Sequence, residues 1–481
     1  MAELHELSAV DLAAAIRRRE VSSREALHHL VARADRLDGP LNSIVTRDLD
    51  AAETAAAAAD AAVARGDEVG PLHGVPITVK DSFSTAGMRT TSGAPELSDH
   101  VPTEDAWPVA GLRRAGAVIW GKTNLPIYAG DMQSYNEVFG TTANPWDLDR
   151  TPGGSSGGSA AALAARFTPL ELGSDIGGSI RLPAHMSGVY GHKPSYGIVP
   201  AHGQIPGPPG SLTQADLAVA GPMARTVADL ELGLSVMTGP DRWNTPAWRL
   251  ELPPARQREL GRFRVASWFD DPTCVLDAEV AAALHGLADR LDAAGCPVDR
   301  DARPGFELPK VAERFFALLN GALAGGYSPG ELEAFALAEG DGAVATTKRQ
   351  TAMRHRQWLS HNESRLQMRR RFEEFFERFD VVLLPVMPCV AIHHDHSAPM
   401  AGRIVQTQHG ARPYWELNRW MAPAGACYLP ATVIPVGFGA TTGMPIGVQI
   451  VGPYLHDHTT LAFASALAEL VGPCPTPPGF A

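Results

Sequence analysis

The sequence predicts an α/β fold: a large mixed β-sheet interleaved with helices, with a helical excursion in the middle of the chain. Three observations carry this. Helical and strand-like patterns alternate through the first half of the sequence. The strand-like runs are short and continuously apolar, as buried strands are. The apolar pattern then gives way to a polar, helix-like one over about 240–380 and resumes at Val381.

Taken in order, Ser8 caps a helix over Ala9–Glu20. Ser22, with Glu25 three positions on, is a capping box for a helix that ends near Leu37. Asp48–Arg65 is Ala-rich, and Gly66 ends it. Val75–Val79 reads as a buried strand with Lys80 and Asp81 at its C-terminal end. Ala106–Arg114 is helical and stops at Gly116; Ala117–Trp120 is the next strand. After TPGGSSGGS at 151–159 comes a small-residue helix over Ala160–Arg166. Leu170–Gly173 is a strand that runs into Ser174–Ser179, and a short helix begins at Ile180. Pro and Gly cluster from Gly203 to Gly210. Further on stand a strand at Arg264–Trp268 and a helix at Ala278–Ala294, ended by Gly295. A long helix is expected over Arg349–Phe379, with Leu359, Leu366, Phe372, Phe375, Phe376 and Phe379 on its apolar side. Val381–Leu384, Thr432–Ile434 and Val448–Val451 complete the strands, and Thr459–Leu470 closes the chain as a helix.

The 481 residues, 45% of them hydrophobic, suffice for a large core, and one domain spanning 1–481 is the simplest organisation. A net charge of -12 without a basic stripe argues against nucleic acid and anionic membranes as partners. The five cysteines form no C-x-x-C pair and are odd in number, which fits a reducing cytoplasm better than a disulfide scaffold. The segment Met1–Leu7 shows no signal peptide, and no apolar run reaches the roughly 18–20 residues of a membrane span. The expectation is a soluble cytoplasmic protein.

The chemistry sits in two Gly/Ser segments. The run from Gly153 to Ser159 lacks the Gly-Lys-Ser/Thr of a phosphate loop. It contains G-x-S-x-G twice, yet a nucleophile elbow needs a strand immediately before it, and 144–152 is not one. A flexible linker is the bland alternative, but linkers do not normally sit between apolar elements. The second segment, Asp175-Ile176-Gly177-Gly178-Ser179, does follow a strand. Two glycines allow a tight turn whose N–H groups converge on an oxyanion, and Ser179 stands beside them. A serine hydroxyl needs a base, and no histidine among the 17 stands out by context. Lys80, at the end of a buried strand, is a candidate for a Ser-Lys arrangement, although a lysine in such a place is more often solvated or ion-paired.

Several stretches together resemble the amidase signature family. They are GVPITVKD (Gly74–Asp81), GKTN (Gly121–Asn124), FGTTANPWD (Phe139–Asp147), TPGGSSGGSAAALAA (Thr151–Ala165) and LGSDIGGSIRLPA (Leu172–Ala184). GHKPSYG (Gly191–Gly197), AGPMARTVADL (Ala220–Leu230) and GMPIGVQIVGP (Gly443–Pro453) extend the likeness. The resemblance implies the amidase signature fold, a mixed central sheet with helices on both faces. Core motifs would lie at about 70–235 and 425–470, and a variable, largely helical substrate side at about 240–425. It implies a Ser-cisSer-Lys triad: Ser179 as nucleophile, Ser155 as the bridging serine after a cis peptide at Gly154, and Lys80 as base. The N–H groups of Ile176, Gly177, Gly178 and Ser179 would form the oxyanion hole, with Ser156, Asp175 and Arg181 as supports. It implies no metal and no cofactor.

The same likeness brings the stretch 126–136 toward the acyl side of the nucleophile, which makes Tyr128, Gly130, Asp131, Met132 and Gln133 candidate substrate contacts. Tyr128, Met132 and the aromatic-rich 358–379 suggest a small amide substrate with an apolar or aryl group. His393-His394-Asp395-His396 has metal-ligand residue types but lies in an expected loop. Lys122 reads as structural. The arginines at 354, 356 and 369–371, with His355, read as a solvated helix face. Three functions compete: a stand-alone amidase, the glutaminase subunit of a tRNA-dependent amidotransferase, and a carbamate, urea-derivative or ester hydrolase with the same triad. Arg181-Leu182-Pro183 and Ala184-His185-Met186 depart from the Gln and small or aromatic residues expected of the second. A homodimer is left open.

Overall fold

The computed structural model describes residues 3–205 and 208–481. Eleven strands form one mixed sheet. Their spatial order is Ile44–Arg47, Val118–Thr123, Pro76–Lys80, Leu170–Asp175, Val219–Ala224, Tyr190–Lys193, Ala431–Phe438, Pro445–Val451, Val381–Pro385, Val265–Ser267 and Val298–Asp299. Pro76–Lys80 runs parallel to both neighbours, pairing Lys80 with Thr123 on one side and Val79 with Leu172 on the other. The middle of the sheet is antiparallel, from Leu170–Asp175 across to Val381–Pro385. A parallel sheet region opens a crevice beyond the carboxyl ends of its strands. Lys80 and Asp175 are the last residues of two adjacent parallel strands.

The faces of the sheet take different helices, as alternation along a strand requires. On Leu170–Asp175, Leu170 meets the helix Val227–Met237 at Gly233, while Gly173 meets Ser156 and Ile180. The helix Asp457–Val471 packs on Val227–Met237 and on the strand Ala431–Phe438. Gly157–Ala164 and Arg181–Ser187 pack on each other, the first also on Leu170–Asp175 and the second on the C-terminal hairpin.

The N-terminal helices start where their caps predict. Ser8 accepts from Asp11 N at 3.0 Å, Ser22 and Glu25 close a capping box, and Asp48 accepts from Ala51 N at 3.1 Å. The first helix stops at Arg17 rather than Glu20, because the chain turns left-handed at Arg19 (φ 59°). The small-residue helix begins at Gly157, three residues earlier than expected. Ser134 Oγ and Asn124 O accept from Gly157 N and Gly158 N, donors that a helix start leaves free.

The long helix is a correction. It is two helices, Ala343–Thr351 and His355–Arg378, and Leu359 and Leu366 are 49% and 45% exposed. Arg365 takes the inward position there, paired with Asp216 at 2.8 Å, while Phe372, Phe375 and Phe376 reach the core as expected. Arg369 is not simply solvated: its guanidinium lies over the rings of Tyr428 and Tyr454, at 5.2 and 4.4 Å. Pro206 and Gly207, within the expected Pro/Gly cluster, lie outside the described residues.

Candidate active site

Pro76–Lys80 is buried along its length, so the strand carries the Lys80 amine into the interior. There Lys80 Nζ meets three serine hydroxyls: Ser155 Oγ at 2.6 Å, Ser174 Oγ at 2.9 Å and Ser156 Oγ at 3.0 Å. Burial pushes the lysine down to about 7, against the opposing charges of Asp175 and Glu171. Asp81 does not face it; the Asp81 carboxylate accepts from Thr91 N at 3.0 Å and Thr91 Oγ1 at 2.6 Å. Lys122 is also buried. It donates to Thr85 and Thr90 and to the Phe83 carbonyl, and burial lowers it to about 8.

The peptide between Gly154 and Ser155 is cis. Ser156 N donates to Ser179 O at 3.2 Å, which lays the first Gly/Ser segment against the second. Lys80, Ser155, Ser156 and Ser179 are thus gathered at one place, and Ser179 is 8% exposed where Ser155 is 1%.

The turn before Ser179 is fixed by Asp175 and Arg181, both buried. Arg181 Nη2 and Nε donate to the two Asp175 oxygens at 2.9 and 3.0 Å. Asp175 also accepts from Gly178 N at 2.9 Å and Ile180 N at 3.2 Å. Burial alone would push Asp175 up; the Arg181 charge and bonds outweigh it and hold the carboxyl below its ordinary range. Gly178 sits at φ +115°, and a methyl there would come 2.8 Å from Met421 Cγ, so the turn admits only glycine.

This geometry revises the expected oxyanion donors. Gly178 N–H is engaged by Asp175, and it is not free. The N–H groups of Ile176, Gly177 and Ser179 have no acceptor among the described residues.

The expected substrate contacts are also redistributed. Asp131 and Gln133 are buried, and their side chains are committed within the protein. Asp131 accepts from Tyr414 Oη at 2.6 Å, Arg403 Nη1 at 2.7 Å and Tyr135 Oη at 3.1 Å. Gln133 pairs with the backbone of Asp395, at 2.7 and 3.0 Å. Met132 is buried beside Gly154, Tyr128 turns its hydroxyl to Glu96, and Gly130 is exposed. His396 stacks on Tyr135 at 3.8 Å, and His393 faces the Asp149 carbonyl at 3.3 Å.

Ser174, Leu319, Asn418 and Met421 join the site without having been expected there. Ser174 stands inside the motif LGSDIGGS and could have been found from it. Asn418 donates to Gly177 O at 3.1 Å, and Leu319 and Met421 lie against Gly177 and Gly178; they come from stretches with no motif.

A sequence model described as Amidase matches residues 25–328 and 334–461. The chain belongs to the amidase signature family. This amidase signature hydrolase is 32% identical over 492 residues to a glutamyl-tRNA(Gln) amidotransferase subunit from Moorella thermoacetica, covering 97% of each chain. It is 34% identical to the corresponding subunit from Anaeromyxobacter dehalogenans, covering 99% of this chain and 98% of that one. Among solved structures it resembles a bacterial aryl acylamidase of the amidase signature family, with a TM-score of 0.81 and 24% identity over 97% of this chain and 96% of that one. It also resembles 6-aminohexanoate cyclic dimer hydrolase, with a TM-score of 0.76 and 26% identity over 98% of each. No helix among the described residues is long and apolar enough to cross a membrane.

Proposed function

We propose that the chain, acting as one catalytic domain, hydrolyses a carboxylic amide through an acyl-enzyme on Ser179. Ser179 Oγ attacks the carbonyl carbon and passes its proton to Ser155 Oγ, which passes its own to the neutral Lys80 amine. The carbonyl oxygen gains the negative charge and is met by the N–H groups of Ile176, Gly177 and Ser179. Collapse breaks the C–N bond, and the proton returns through Ser155 to the departing amine. Water then enters by the same relay and releases the acid. The observation that carries this reading is the buried Lys80 amine 2.6 Å from Ser155 Oγ, held near neutrality so that it can accept a proton at neutral pH.

The acyl group we infer is uncharged. Beyond Asp175 and Arg181, whose charges answer each other, the side chains against Gly177 and Gly178 are Leu182, Leu319, Asn418 and Met421, and none carries a charge. Trapping with hydroxylamine tests the acyl-enzyme. An amide, an anilide and an ester of one acid should give one constant ratio of hydroxamate to acid, because all three pass through the same intermediate. A ratio that follows the leaving group would mean direct displacement instead.

The curated relatives favour a second reading, and more strongly than they favour a free-standing role: the same chemistry serving as the glutaminase subunit of a tRNA-dependent amidotransferase. Against it stand the surroundings of the turn, where Asp175 and Arg181 pair with each other and the other side chains against Gly177 and Gly178 are uncharged, since glutamine carries an ammonium and a carboxylate that each need a partner. Turnover of simple aryl or aliphatic amides by the isolated chain supports the first reading. Glutamine hydrolysis that appears only with further subunits and tRNA supports the second.

A further inference from the structure

The loop that carries Ser155 leans on residues 131–134. A methyl on Gly154 would come 2.7 Å from Asp131 O, Met132 C and Gln133 N, and Ser134 Oγ donates to Gly153 O at 3.0 Å. Where residues 131–134 go, Ser155 goes. That segment is itself tied down at its far side. Asp131 holds Arg403, Tyr135 and Tyr414, and Gln133 zips to the Asp395 backbone. Arg403 completes the cluster, donating to Tyr135 Oη and Ser397 O at 2.6 Å each.

Apart from Tyr135, which follows on the same segment, those partners lie on the stretch 395–414, which runs on to Asn418 and Met421. Asn418 and Met421 abut the turn of Ser179, at Gly177 and Gly178. One strut therefore reaches both serines, one end on the cis loop and the other on the nucleophile's turn, and it closes at Asp131. Asp131 and Arg403 are 7% and 4% exposed. A buried ion pair adds little net stability, but a fully satisfied buried network specifies one arrangement. With three donors on the Asp131 carboxylate and each Arg403 nitrogen engaged, both charges are already answered within the protein.

We propose that the Asp131–Arg403 pair is a positioning device that sets Ser155 against Ser179, and not a substrate-binding group. The proposal rests on the acyl-enzyme reading above. Displacing a reacting group by about 1 Å can lower a rate on the order of 100-fold. Arg403→Met and Asp131→Asn should therefore lower kcat on the order of 10–100-fold while KM stays within about twofold. Labelling of Ser179 by a fluorophosphonate should slow in step with kcat. The pKa of the rising limb of the pH profile should stay in place, because neither residue touches Lys80. The double variant should lose little more than either single one, since both remove the same contact.

The measurement is steady-state kinetics of the full chain on an amide it turns over, with labelling rates and thermal midpoints for each variant. A raised KM with unchanged kcat would assign the pair to substrate binding and overturn the proposal. So would unchanged kcat and labelling with only a lowered thermal midpoint. If Arg403→Met does not fold, Tyr414→Phe removes one bond to Asp131 and keeps the ring; kcat should fall several-fold at constant KM, and an unchanged kcat overturns the strut. A wild type that is not labelled at Ser179 overturns the acyl-enzyme reading and the strut with it. A labelled wild type with unaffected variants overturns the strut alone.

Discussion

Lys80 Nζ lies 2.6 Å from Ser155 Oγ, with both groups shut away from water. A neutral amine there has one lone pair and two protons for three hydroxyl neighbours. In the proposed relay, the shortest contact is the one the proton crosses, from Ser155 to lysine. The other two, to Ser174 and Ser156, suit an amine that donates. An ammonium would have to donate to all three and could accept nothing.

The rate should therefore rise with pH. Lys80 is pushed down to about 7 by burial, so kcat/KM should climb through a pKa near 7 and level off above it. Lys80→Ala should lose both the activity and that ionisation. Lys80→Arg should fail too, because a guanidinium stays charged. Profiles of kcat/KM against pH for the three proteins check this; substantial activity in Lys80→Arg would remove Lys80 as the base.

The same shift fixes the sign of a stability effect. Between about 7 and about 10.4 the unfolded chain holds a proton on Lys80 that the folded chain lacks, so stability gained from this group rises with pH across that window. Below 7 the folded state must protonate a buried amine, and stability is at its lowest. Lys80→Met removes the dependence. Relative to the variant, the wild type should gain on the order of 3–4 kcal/mol between pH 6 and pH 10. Lys122 and Lys193, buried and lowered in the same direction, are common to both proteins and cancel. Denaturant midpoints at several pH values measure the difference; a constant gap would mean that Lys80 is protonated alike in both states.

Asp175 and Arg181 should be worth less as a pair than the loss of either suggests. Asp175→Ala leaves a buried guanidinium without its partner and frees Gly178 N and Ile180 N, so it should destabilise the fold by about 3–5 kcal/mol and lower kcat. Arg181→Met together with Asp175→Asn should cost less stability than the two singles added. Chemical denaturation of the four proteins gives the coupling, and strict additivity would show that the two side chains act independently.

Much of the fold is legible in the sequence because its signals are local. Ser22 with Glu25, Asp48 and Gly66 mark helix ends through their own side chains or φ, whatever surrounds them. The apolar runs Val75–Val79 and Val381–Leu384 announce buried strands for the same reason. Tyr190–Lys193 and Val219–Ala224 carry no such signal, since Gly191, His192, Lys193, Gly221 and Pro222 are poor β-formers placed in the sheet by their neighbours. Leu359 and Leu366 look like core at helical spacing and are exposed, because Arg365 answers Asp216 from 149 positions away. The serines and Lys80 can be named from motifs. The commitment of Asp131 to Arg403 and of Gly178 N–H to Asp175 cannot, for spacing does not reveal a partner's geometry.

At the centre stand two assignments, Ser179 as nucleophile and Ser155 as relay. Mass-spectrometric mapping of a fluorophosphonate adduct on wild type, Ser179→Ala and Ser155→Ala tests them most directly. An adduct is expected on Ser179 in the wild type and none in Ser179→Ala, whose turnover should fall on the order of 10³-fold or more with the fold intact. Ser155→Ala should still be labelled at Ser179, but slowly. An adduct that persists in Ser179→Ala and vanishes in Ser155→Ala would show the two serines to be reversed.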